Sequence, residues 1–119
     1  MTQTYQGSCH CGRVRFELRA NIDHARVCDC SLCRRRGALN FRVEPEQVRF
    51  LTPLEDMTLY QWNTMTAKDY FCPTCGMLPF RQPRTAPHLW TVNLRCLEDF
   101  DLDSVEWRRL DGQRLSTAE

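Results

Sequence analysis

The sequence predicts a mostly β protein of antiparallel sheets with minor helix, gathered around a four-cysteine metal site. Three observations carry this expectation. Short segments alternate apolar and polar residues with a period of two, turn-prone residues separate those segments, and the eight cysteines fall largely into tight groups.

The chain has 119 residues, 42% of them hydrophobic and 26% charged, an ordinary globular composition. Two separate cores at this length would each fall near the size where burial stops offsetting chain entropy, so one domain over 1–119 is expected. Sixteen basic against fifteen acidic residues leave a formal charge of +1. That balance gives no field for nucleic acid or an anionic membrane and points to a small or local partner. The opening residues have neither a basic nor an apolar leader segment, and no apolar run is long enough to cross a membrane. A cytoplasmic location follows as an expectation, and in a reducing compartment clustered cysteines serve metal binding or chemistry more often than disulfides.

The best strand is 12–19, where Val14, Phe16 and Leu18 alternate with Arg13, Arg15 and Glu17. Further strands are expected at 25–28, 39–43, 48–51, 58–62, 68–71 and 88–94. The Glu44-Pro45-Glu46 segment and the Pro/Arg-rich stretch 81–87 read as turns between them. One short helix is expected over 31–37, with Ser31 as its cap. Trp62, Trp90, Tyr60, Tyr70 and Phe71 are placed mostly in the core, with Trp107 joining them and one or two lining a pocket.

Cys72-Pro73-Thr74-Cys75-Gly76 after a strand has the layout of a metal knuckle: both sulfurs can face one ion, and Gly76 permits the tight turn. A redox dithiol would need a βαβ context that is missing. Tetrahedral zinc needs two further ligands, and Cys9-His10-Cys11-Gly12 supplies a pair, with His10 as an alternative ligand. Zinc is favoured over a rubredoxin-type iron, which would usually pair two knuckles.

Cys28-Asp29-Cys30-Ser31-Leu32-Cys33 offers three thiols with no obvious fourth ligand, as an exchangeable or catalytic zinc with an open position requires. The same residues could instead close a second structural site with Cys96, Asp29 or a histidine. Arg34, Arg35 and Arg36 follow at once. They form either a solvated face or a group that lowers thiol pKa values and draws in an anion. Cys96, between apolar neighbours, reads as an inert packed thiol, and His24 and His88 have no ligand partner nearby.

With these motifs the chain resembles the glutathione-dependent formaldehyde-activating family, also found as the domain of centromere protein V. The resemblance runs through Gly7-Ser8-Cys9-His10-Cys11-Gly12-Arg13-Val14 and Cys28-Asp29-Cys30-Ser31-Leu32-Cys33-Arg34. It continues in Leu59-Tyr60-Gln61-Trp62-Asn63-Thr64 with Ala67-Lys68, Tyr70-Phe71-Cys72-Pro73-Thr74-Cys75-Gly76, and Val92-Asn93-Leu94-Arg95-Cys96-Leu97-Glu98. It implies an antiparallel β-tent fold, a structural zinc on Cys9, Cys11, Cys72 and Cys75, and a second zinc on Cys28, Cys30 and Cys33. The activity it implies is condensation of glutathione with formaldehyde to S-hydroxymethylglutathione, a carbon-sulfur lyase reaction in which Arg34, Arg35 or Arg36 could orient the thiol's carboxylates. The competing expectation is a non-catalytic zinc module that binds a thiol ligand or a protein partner.

Overall fold

The computed structural model describes residues 1–29 and 31–110. Ten strands and one α-helix follow in order: β1 (Gln3–Ser8), β2 (Arg15–Ala20), β3 (His24–Cys28), α1 (Ser31–Arg36), β4 (Asn40–Val43), β5 (Val48–Phe50), β6 (Thr58–Tyr60), β7 (Lys68–Phe71), β8 (Phe80–Gln82), β9 (Trp90–Asn93) and β10 (Glu106–Leu110). Short 3-10 turns lie between several of them. A three-stranded sheet has the order β1-β2-β5, and a seven-stranded sheet the order β10-β3-β4-β9-β8-β7-β6. Every pairing is antiparallel except β3 with β10. The mostly antiparallel β architecture read from the pattern is the one observed.

The alternation in β2 is what joins the two sheets. Phe16 and Leu18 are fully buried, while their neighbours Arg15 and Arg19 are exposed. The Phe16 ring meets Phe80 of β8 edge-on at 5.5 Å, and Phe80 also packs against Phe50 and Trp90. Aromatic pairs in these geometries add roughly 0.5–1.5 kcal/mol each beyond area burial. Gly7 of β1 lies directly over this cluster: a Cβ there would stand 2.1 Å from the Phe16 ring, so no other residue fits without displacing it.

Several expected boundaries move. The 12–19 strand begins only at Arg15, because Gly12 to Val14 are drawn into the turn that carries Cys9 and Cys11. The helix starts on Ser31 itself, so Ser31 is its first residue and not its cap. Arg81 and Gln82, read as part of a turn, extend β8, because Arg81 has a buried carboxylate partner. The aromatic expectation needs the larger correction. Trp90 is buried, Trp62, Tyr70 and Phe71 are half-buried, and Tyr60 and Trp107 are exposed because β6 and β10 form the two edges of the large sheet. β1 and β10 are also strands that the alternation pattern does not reveal. β1 is polar along most of its length, and none of residues 106–109 is buried.

No helix among the described residues is long and apolar enough to cross a membrane.

Candidate metal centre and the three-cysteine cleft

Two turns build the metal centre. In the first, the Gly12 amide donates to the Cys9 carbonyl and the Cys9 amide to the Val14 carbonyl, with Gly12 at φ 85°, where glycine alone is comfortable. In the second, Gly76 at φ 77° donates to the Cys72 carbonyl, and Cys72 donates to the Met77 carbonyl. The 9–14 turn lies between β1 and β2 of the small sheet. The 72–77 turn follows β7 of the large one, so the cluster bridges the two sheets. Arg13 Nη1 donates to Thr74 Oγ1 at 2.9 Å across the same seam.

The four sulfurs of Cys9, Cys11, Cys72 and Cys75 lie within 4.8 Å of one another. Cys9 to Cys11 and Cys11 to Cys72 are both 3.7 Å. A disulfide would require about 2.05 Å. Four thiolates at about 2.3 Å from a central zinc would have tetrahedral edges of about 3.8 Å. The donor set therefore fits a tetrathiolate metal centre and could hold a metal such as zinc. His10 is exposed and is not among the four clustered ligands.

Backbone amides donate to two of these sulfurs. Val14 donates to Cys9 Sγ at 3.2 Å, and Thr74 and Cys75 donate to Cys72 Sγ at 3.4 and 3.5 Å. Burial works against the Cys72 thiolate, but the Cys75 and Thr74 amides outweigh it and pull its pKa below the ordinary thiol value. At Cys75 the amides of Cys11 and Met77 bring the pKa down to about 6. Cys11 moves the other way: the Arg13 amide favours its thiolate, yet desolvation and the neighbouring sulfurs of Cys9, Cys72 and Cys75 carry it to about 11. Thiolates this close repel, and a divalent cation at their centre would relieve that repulsion.

The three-cysteine segment is built differently. Cys28 ends β3 and Cys33 lies on the buried side of α1; with Leu32 the two form a small apolar cluster apart from the main core. Cys30 lies outside the described residues. A cleft of about 340 Å³ opens beside them, lined by Cys28, Cys33 and Arg34 among others. Cys96 is not part of it: the thiol is buried, and that burial pushes it up to about 12, as an inert packed thiol requires. His24 pairs with Asp23 and packs on Phe41, and His88 is exposed.

The arginine run splits three ways, because successive helix residues point about 100° apart. Arg34 lines the cleft. Arg35 turns back, its Nη1 donating to the Ser31 carbonyl at 2.7 Å. Arg36 reaches β7, donating to Asp69 Oδ2 at 2.8 Å, and lies 5.8 Å from the centre of the Tyr60 ring. Asp69 is fully buried and also accepts from Arg81 Nε at 2.5 Å. Pattern reading missed Asp69 and Arg81. The signal available was an Asp two residues before Phe71, on the same face of β7.

The chain matches the glutathione-dependent formaldehyde-activating enzyme family over residues 4–109. The chain belongs to that family. Within the family's span lie both cysteine turns, α1 and the cleft beside it. A Rhodobacter sphaeroides protein, whose crystal structure was solved as a structural-genomics target, is similar to this chain at 42% identity. The likeness covers 86% of this chain and 98% of that one, with a TM-score of 0.75.

Proposed function

We propose that this protein is a zinc-dependent carbon-sulfur lyase of the glutathione-dependent formaldehyde-activating type, forming or cleaving the adduct of a glutathione-like thiol with a small aldehyde. One observation carries the reading within a family of that description: a second pair of buried cysteines, separate from the four-sulfur cluster, sits beside an open cleft with a guanidinium at its rim. A closed tetrathiolate site has no position left for a substrate, whereas a three-thiolate site does.

In this reading Cys9, Cys11, Cys72 and Cys75 hold a structural zinc that ties the sheets together, and Cys28, Cys30 and Cys33 hold a second, exchangeable zinc. When bound there, zinc supplies Lewis acidity, which lowers the pKa of a thiol and polarises a carbonyl. The chain's own residues do the rest. Cys28 and Cys33 fix the reacting end at the wall of the cleft. α1 presents Arg34 there, and of the three arginines proposed to orient the thiol's carboxylates, Arg34 is the best placed. Holding thiol and aldehyde in one cleft converts a bimolecular addition into an oriented one. Arg36, engaged by Asp69, serves mainly to anchor the helix. The domain acts as one unit over 1–119, in the cytoplasm, on small molecules, without nucleic acid or a membrane as partner.

The test is two-dimensional NMR exchange between formaldehyde and S-hydroxymethylglutathione, with the zinc-loaded protein compared with Cys30→Ser at equal concentration. Acceleration by the intact protein alone is the expected result. Exchange no faster than buffer with either protein would make the chain a binding module or an enzyme of another thiol adduct.

A further inference from the structure

The cleft beside Cys28 and Cys33 has a second wall that no cysteine motif announces. β10 runs parallel to β3 with Trp107 opposite Ala25 and Arg109 opposite Val27, and both residues line the cleft. Two positions apart on one strand, their side chains leave from the same face. Arg95, from the turn after β9, closes the wall: its Nε donates to the Gly37 carbonyl at 3.2 Å, and its guanidinium lies 5.9 Å from the centre of the Trp107 ring. Trp107 is held in turn by its indole N–H, which donates to the Leu102 carbonyl at 3.1 Å.

Three arginines from three different elements thus line one space, Arg34, Arg95 and Arg109, and among the described residues Asp29 is the acid that lines it. Other arginines nearby are used differently. Arg108, adjacent on β10, is ion-paired with Glu106, and Arg36 is paired with Asp69. Arg34 and Arg109 pair with no carboxylate among the described residues. Concentrated positive charge in a concave site focuses field on an anion, and a guanidinium fork matches a carboxylate with two parallel hydrogen bonds. Arg95 is already ordered by Gly37 and Trp107, so it loses little freedom on binding.

We propose that this wall recognises the carboxylates of the thiol substrate, with Arg109 and Arg95 as its binding residues and Trp107 as the platform that orders Arg95. The substrate class is then a thiol bearing two or more carboxylates. A neutral thiol would offer these arginines no anionic partner. The proposal rests on the thiol-adduct reading above for the identity of the ligand and on the cleft for its position.

S-methylglutathione separates the two, because it keeps both carboxylates and cannot form the adduct. Its binding is followed by NMR at the Trp107 indole N–H and at the Nε–H groups of Arg95 and Arg109, in the full chain loaded with zinc. These resonances are expected to shift and saturate. The diethyl ester is expected to bind about tenfold or more weakly, Arg109→Ala to weaken the acid about tenfold, and Arg109→Lys to fall between. Equal binding of acid and ester, indifference to Arg109→Ala, or saturating shifts confined to another part of the protein would each overturn the wall. Exchange activity that survives such a result leaves the lyase reading standing. Arg109-dependent binding without any exchange keeps the wall and removes the lyase reading.

Discussion

At the four-cysteine cluster the ligands come from two turns far apart in the chain, and the sulfurs are ringed by one another and by backbone amides. At Cys28 and Cys33 the sulfurs come from one short stretch, share a small apolar cluster with Leu32 and border an open cleft lined by arginines. The first arrangement closes a long loop and joins two sheets, which is how a metal stabilises a small fold. The second adds little chain closure and leaves room for a ligand. Cysteines in one small fold are thus divided between a cluster that joins two sheets and a pair that borders an open cleft, and the contrast can be broken experimentally.

The largest expected effect is at the cluster. Cys72→Ser should release its metal and remove more than about 5 kcal/mol, enough to abolish a cooperative thermal melt, since structural zinc contributes folding energy comparable to a domain's whole stability. Under the proposed two-zinc reading, Cys33→Ser should keep that melt and lose metal only from the cleft. Equal collapse of both variants, measured by circular dichroism with metal counted per chain, would erase the distinction.

Next is the buried carboxylate that anchors α1. Asp69→Asn leaves Arg81, only 3% exposed, without its charge partner and frees Arg36. Removing one partner of a buried pair costs about 3–5 kcal/mol in urea denaturation. A loss under about 1 kcal/mol would mean that solvent screens this network as it would at the surface.

Gly7→Ala should cost about 1–3 kcal/mol, because the new methyl must displace the Phe16 ring from the shared core. A neutral result, read from the same denaturation curves, would show that the strand can shift without disturbing either cysteine region.

The smallest effect is the pH dependence. The Cys75 pKa, lowered from 9.0 to about 6, makes its contribution to stability full above about 9 and lost as pH falls through about 6. Cys11, raised from 9.0 to about 11, contributes below about 9 and loses that as pH rises through about 11. The thermal midpoint should decline from pH 9 towards 6, and a bound metal carries the same sign to lower pH. A flat profile over that range would put Cys75 at the ordinary thiol value.

The parts of this molecule legible in the chain are those whose physics is local. The Cys-x-x-Cys-Gly and Cys-x-Cys-Gly turns need only a few residues and a glycine at positive φ, so the spacing pointed to the four cysteines that the structure clusters. The alternation at Val14, Phe16 and Leu18 marked a buried strand face, and β7 lies where the pattern put it. Only the tertiary structure decided what the polar edges do. β10 has no buried residue among 106–109 and pairs in parallel with β3, a pairing that no local periodicity announces. Consecutive arginines in one run of sequence met three different environments, because a helix turns about 100° per residue and each direction faces another element. Asp69 became a buried anchor only because β8 brought Arg81 beside it and α1 brought Arg36. Local chemistry was written in the spacing of the cysteines; which charges meet was settled by long-range packing, where the free energy of a charge depends on what surrounds it.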